Sequence, residues 1–214
     1  MKTYKKNFDL LKKNNVYSED MEHDACGVGL IASTEGKKSR NVVEYGIEAL
    51  KAVWHRGAVD ADGKTGDGAG IHVEIPKDFF IEKIEVTGHT HDNSEICVGM
   101  IFLPRNDYAA QESCKTIVES ELTKNDFNIY GWRQVPVNPK VLGEKAFQTM
   151  PEIIQVLFKS HNKELTNKDL ERKIYETRRK IENEAFKKSL NNFYICSLSS
   201  KSIIYKGMFL AEAI

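Results

Sequence analysis

Apolar positions along this chain recur in two rhythms, one helical and one of strands. Val43, Ile47, Leu50 and Trp54 fall three to four residues apart and predict a helix ending at His55-Arg56-Gly57. Gly57 suits the left-handed position that follows a helix. Ala110, Cys114, Ile117, Val118 and Leu122 predict a second helix. Leu170, Ile174, Ile181 and Ala185 mark one face of a long charged helix over 166–192, with Thr166 and Asp169 as its capping box. Its other face, rich in charges at i,i+4, is read as solvated. Short apolar runs predict strands at 27–32, 71–75, 95–103 and 129–137, the last broken by Pro136. Pro151 is read as opening a short apolar helix through Phe158. Residues 193–198 and 203–206 are read as a hairpin around Ser199-Ser200-Lys201-Ser202. Trp132, in Gly131-Trp132-Arg133-Gln134-Val135-Pro136, is read as core packing. Strands mixed with intervening helices favour an α+β fold, and two packed sheets covered by helices would satisfy strands that are apolar on both faces.

Composition narrows the class. The 214 residues are 41% hydrophobic and 29% charged, with 31 basic and 31 acidic side chains. That balance gives no global attraction to nucleic acid or to an anionic membrane, and neither is expected as a partner. Residues 1–25 are polar at first and locally basic, with Lys2, Lys5, Lys6, Lys12 and Lys13, and are read as an arm or pro-segment. They lack the apolar core of a secretory signal, and no run approaches the roughly 18 residues that span a bilayer. The protein is therefore read as cytoplasmic. Cys26, Cys97, Cys114 and Cys196 lie too far apart for a C-x-x-C pair, so neither a zinc ribbon nor a thioredoxin motif is present.

Three stretches could carry chemistry. Cys26 lies in Asp24-Ala25-Cys26-Gly27-Val28-Gly29, at the mouth of an apolar run. It is either a buried structural thiol or a nucleophile. In the second case removal of residues 1–25 would leave a free α-amine, with a pKa of about 8, to act as general base. The glycine-rich run Asp62–Gly70 is not a phosphate loop, since it matches neither nucleotide-binding pattern and precedes a strand rather than a helix. It is read as a tight loop that lets backbone approach a neighbouring site. Its strand-helix-loop-strand setting could bring Arg56 and the loop near Cys26, where a guanidinium could lower the thiol pKa or hold a carboxylate. His89-Thr90-His91-Asp92 is read as an exposed loop, and no metal site is expected.

These residues resemble a known family. Asp24–Gly29, His55-Arg56-Gly57-Ala58 and Thr65-Gly66-Asp67-Gly68-Ala69-Gly70-Ile71 are similar to the start of the glutamate synthase large subunit, a class II glutamine amidotransferase domain of the N-terminal nucleophile hydrolase superfamily. Gly131–Val137 and Ser197–Met208 resemble further segments of the same family. The resemblance implies an αββα four-layer sandwich of two antiparallel sheets. It implies a pro-segment over 1–25 and the amidotransferase domain from 26 to 214, with Cys26, Arg56 and Gly57 as catalytic residues. It implies L-glutamine as substrate, hydrolysed to glutamate and ammonia through a Cys26 γ-glutamyl thioester, for glutamate biosynthesis. FMN and an iron–sulfur cluster belong, on the same resemblance, to other domains of an oxidoreductase, and a small electron-donating subunit is a further partner. Two family features have no counterpart: there is no Asn-Gly dipeptide for the oxyanion hole, and the last arginine is Arg179. Oxyanion and substrate-anchoring residues are therefore unassigned. The apolar end Phe209–Ile214 is read as the opening of an element that continues. The chain is accordingly expected to be an incomplete, N-terminal piece of the domain, inactive alone. The alternative is a fragment acting only as an assembly or interaction module.

Overall fold

The computed structural model describes residues 2–14, 27–53 and 58–214. Strand β1 (Ala69–Glu74) pairs antiparallel with β6 (Ser202–Gly207), placing Ile71 opposite Tyr205. A second antiparallel sheet has the order β3-β4-β2-β5, from Phe127–Gln134, Glu152–Ser160, Cys97–Leu103 and Tyr194–Ser199. Among the described residues six α-helices accompany these strands: α1 (Lys2–Lys13), α2 (Arg40–Ala52), α3 (Lys77–Val86), α4 (Tyr108–Lys124), α5 (Glu144–Gln148) and α6 (Asn167–Lys187). The chain folds as a mixed α/β protein with two antiparallel sheets. Among the described residues no helix is long and apolar enough to cross a membrane.

Two cores lie on opposite faces of the four-stranded sheet. On one face Ile101, Leu103, Val156 and Phe158 meet α4 and α6 through Val118, Leu122, Ile174 and Ile181. On the other, Val98, Met100 and Leu157 meet Ile203 of β6 together with Phe80 and Ile84 of α3. Helix α2 packs on β1, so the layers run helix, sheet, sheet, helix. Close packing restricts Gly99: a Cβ there would come 2.6 Å from Val156 and 2.7 Å from Leu198. A side chain at that point would have to displace the neighbours that close over β2.

The helix expectations over α4 and α6 hold, with Thr166 as the N-cap of α6 accepting a bond from Asp169 N at 3.2 Å. The expected helix through Val43, Ile47 and Leu50 forms as α2 but ends at Ala52, and the expected end at Trp54 to Gly57 lies outside the described residues. α6 is shorter than the charged stretch that announced it, ending at Lys187. Three expectations do not hold. The expected helix from Pro151 through Phe158 is instead strand β4, Glu152–Ser160. Both of its faces are covered, so its apolar run shows no alternation, and such a run is indistinguishable from a buried helix by pattern. The predicted hairpin is not one, because β5 and β6 belong to different sheets. Glu171 holds the crossover, accepting Ser200 N at 2.7 Å, Ser200 Oγ at 2.7 Å and Ser199 Oγ at 3.0 Å. Residues 27–33 carry no strand pairing, and Val28 and Leu30 are 91% and 89% exposed. An apolar run specifies a strand only when an edge is available to it, and among the described residues none pairs there. The basic arm contains a helix, α1, with Leu10 and Leu11 exposed. Helix α3, which went unanticipated, follows Pro76 and buries Phe80 and Ile84. Trp132 packs partly buried against the helix-side core and donates its indole N–H to Glu119 at 2.6 Å.

Candidate active site

Cys26, Arg56 and Gly57 lie outside the described residues. Their chain neighbours Gly27 and Ala58 are described. Gly27, directly after Cys26, lines an open cleft of about 1530 Å³. Asp67, Gly68, Ala69 and Gly70 line the same cleft, as do apolar Met100, Phe102, Val135 and Ile153. Gly27 and the glycine-rich loop thus share one concavity.

The loop is a built structure. Val59 and Gly66 form an isolated antiparallel bridge, and Asp60 N donates to Thr65 O at 2.9 Å. Asp62 fills the turn, accepting Thr65 Oγ1 at 2.6 Å, Thr65 N at 2.7 Å and Lys64 N at 2.9 Å. The Thr65 hydroxyl, then the two amides, hold the Asp62 carboxyl far below the usual carboxylate range. Thr65 is buried, and its hydroxyl accepts Ala146 N of α5 at 3.4 Å. Lys145 adds an ion pair to Asp60 at 2.7 Å, and its hydrogen bond lowers the Asp60 pKa. The loop is therefore docked on the start of α5.

From Gly66 to Gly70 the backbone is pressed onto β6 and the chain beyond it. A Cβ on Gly70 would lie 2.6 Å from the Tyr205 carbonyl oxygen. A Cβ on Gly66 would lie 3.0 Å from both Phe209 O and Leu210. Asp67 bears the one charged side chain in this run. Its Oδ2 accepts Ala58 N at 2.9 Å, and its own N–H donates to Ala58 O at 3.3 Å. Sequence reasoning assigned the loop to close approach but missed the roles of Asp62, Thr65 and Asp67. An Asp three residues before a Thr is a turn signal that could have found the first two.

The remaining thiols are unsuited to nucleophilic attack. Cys97, Cys114 and Cys196 are buried. Burial, with the nearby Asp107 charge adding to it, pushes Cys114 up to about 11, and burial raises Cys97 and Cys196 as well. His89 and His91 serve local contacts, to Thr87 Oγ1 and Ser94 O, both at 3.0 Å. Among the described residues no three of His, Cys, Asp and Glu are grouped to hold a metal ion.

The family Glutamine amidotransferases class-II matches residues 26–214, the match beginning at Cys26 itself. The chain belongs to the class II glutamine amidotransferases. This amidotransferase chain is 54% identical over 209 residues to the glutamate synthase [NADPH] large chain of Azospirillum brasilense. That alignment covers 98% of the chain and 14% of the relative. It is 40% identical over 195 residues to ferredoxin-dependent glutamate synthase 1, chloroplastic/mitochondrial, of Arabidopsis thaliana, covering 90% of the chain and 12% of the relative. The chain therefore spans about a seventh of the relatives' length. A class II amidotransferase domain is an enzyme domain.

Proposed function

We propose that this chain carries the glutamine-hydrolysing site of a glutamate synthase, with Cys26 as nucleophile. The observation that supports this is the family match starting at Cys26, with Gly27 and the glycine-rich loop lining one cleft. Cleavage after Ala25 removes residues 1–25 and frees the Cys26 α-amine. The amine takes the thiol proton through a water molecule, and the thiolate attacks the side-chain amide carbon of L-glutamine. The C–N bond breaks, the amine returns the proton to the departing nitrogen, and ammonia leaves. A γ-glutamyl thioester remains, which water hydrolyses to glutamate and free thiol. In this reading Arg56 and Gly57 serve the step as charge and backbone partners. In the whole protein the ammonia serves glutamate synthesis, fed with electrons from NADPH or ferredoxin, as the relatives' names specify for them. FMN and an iron–sulfur cluster belong to other domains in this reading.

Substitution of Cys26 in the full-length protein tests the reading. Cys26→Ala is expected to abolish glutamine hydrolysis while ammonia-dependent glutamate synthesis persists. An electrophilic glutamine analogue is expected to label Cys26 and none of Cys97, Cys114 or Cys196, read by peptide mass spectrometry. Hydrolysis surviving in Cys26→Ala, or an active enzyme whose intact mass still includes residues 1–25, would refute it.

A further inference from the structure

We infer that a second, smaller cleft binds a free acidic amino acid, through its two carboxylates and its ammonium group. The cleft measures about 500 Å³, within the usual size of a small-molecule site. It lies at the opposite end of the β1–β6 sheet from the larger one. The larger cleft takes Gly68–His72 and Ile204–Gly207, the smaller one His72–Ile75 and Ser200–Ser202. Its chemistry is separate from amide cleavage.

Lys38, Lys77 and Lys201 line this cleft, against two carboxylates, Glu74 and Glu95. Lys38 pairs with Glu74 at 2.5 Å and Lys77 with Glu95 at 2.7 Å. Both pairs are exposed, and exposed pairs hold their partners weakly, so either can open to a ligand. Lys201 differs: among the described residues nothing accepts from its amine. Its backbone is nonetheless fixed. Its N–H donates to Ser199 Oγ at 2.9 Å, and its carbonyl accepts Ile75 N at 3.0 Å. Glu171 holds the preceding Ser200 by its N–H and its hydroxyl, each at 2.7 Å. Across the two strands His72 Nε2 and Ser202 Oγ meet at 2.6 Å. A held frame thus presents one unpaired ammonium beside two weakly paired ones. These signs select the ligand. A ligand with two carboxylates can engage Lys201 and one paired lysine, which leaves that lysine's glutamate without a cation. An ammonium on the ligand takes that glutamate, and every charge in the cleft is again paired. Two carboxylates and one ammonium describe aspartate or glutamate as the free amino acid. Hydrogen bonds between such ionised groups are the strong kind.

The probe is L-aspartate, which is neither substrate nor product of the reaction proposed above, added to the full-length protein. It is expected to shield Lys201 from an amine-acylating reagent in a saturable way, read by peptide mass spectrometry. Lys188, which lines neither cleft, is expected to keep its reactivity. In equilibrium dialysis Lys201→Gln and Glu74→Gln are each expected to weaken L-aspartate binding by about tenfold, and Lys188→Gln to leave it unchanged. Succinate, which lacks the ammonium, and L-asparagine, which lacks the second carboxylate, are expected to bind about tenfold less tightly than L-aspartate. Lys201 and Glu74 are exposed, so these substitutions leave the core intact, and Lys201→Arg, which keeps the charge, is expected to retain binding. Unshielded Lys201, or an affinity indifferent to both cleft variants, overturns the site. Succinate binding as tightly as L-aspartate overturns the ligand class.

Discussion

Asp62 shows how one carboxylate can organise a loop. It accepts two amides and a hydroxyl in a single turn, and Gly143 stands where a Cβ would collide with it and with Thr65. These bonds favour its ionised form and hold its pKa below the unfolded value of about 3.9. A carboxylate depressed in this way stabilises the fold above the unfolded pKa. That contribution disappears as pH falls through the folded value. The expected outcome is a thermal midpoint for wild type that exceeds that of Asp62→Asn by a constant margin above about pH 5, the margin narrowing below about pH 4. A margin independent of pH down to the acid limit would show that ionisation of Asp62 has no part in holding the loop. Asp92, paired with Lys159 at 2.9 Å and Lys163 at 2.8 Å, shifts in the same direction, so acid lability is not confined to the loop.

Elements in this fold are joined by side chains at their ends as much as by packed faces. The passage from β5 to β6 carries the chain from one sheet to the other, and half-buried Glu171 on α6 ties it by three hydrogen bonds. Hydrogen bonds to a charged group contribute more than neutral ones, so Glu171→Ala is expected to cost about 2–3 kcal/mol. The loss should concentrate in the opening free energy of β5 and β6 amides, measured by native-state hydrogen exchange. Unchanged protection there would mean that the crossover is held by the sheets alone. Helix α6 itself is secured separately, by the Thr166 cap at one end and by Leu170, Ile174 and Ile181 along its buried stripe.

At the scale of the molecule, the four-stranded sheet separates two cores that share backbone but little side-chain contact. Ile101 lies in the helix-side core and Ile203 in the core between the sheets, both fully buried. Ile101→Val and Ile203→Val are each expected to cost about 1 kcal/mol in domain stability. In combination the two costs should add to within about 0.5 kcal/mol, since side chains with no common partners do not couple. Native-state hydrogen exchange on β2 and β6 reads both. A strong departure from additivity would show that the two layers repack as one.

Periodicity by itself determined α4 and the body of α2, and periodicity with the Thr166 cap determined α6, because an amphipathic helix writes a 3.6-residue stripe into its residues. β1, β2 and β3 were legible for the corresponding reason, being bounded by turn residues. Motif resemblance named the domain, which the family match over 26–214 bears out, and it is the source of the proposed roles of Cys26, Arg56 and Gly57. Only tertiary structure could decide β4, whose apolar run is covered on both faces and so shows no period. It alone could separate β5 from β6, since a two-residue crossing between sheets and a hairpin turn read alike in sequence. Residues 27–33 show the converse, an apolar run that the described fold leaves without a pairing edge. The hydrogen bond from Ala58 N to Asp67 Oδ2 spans nine positions of the chain. No local pattern encodes such a contact, because hydrogen bonds between loop segments are set by the elements that carry them into place.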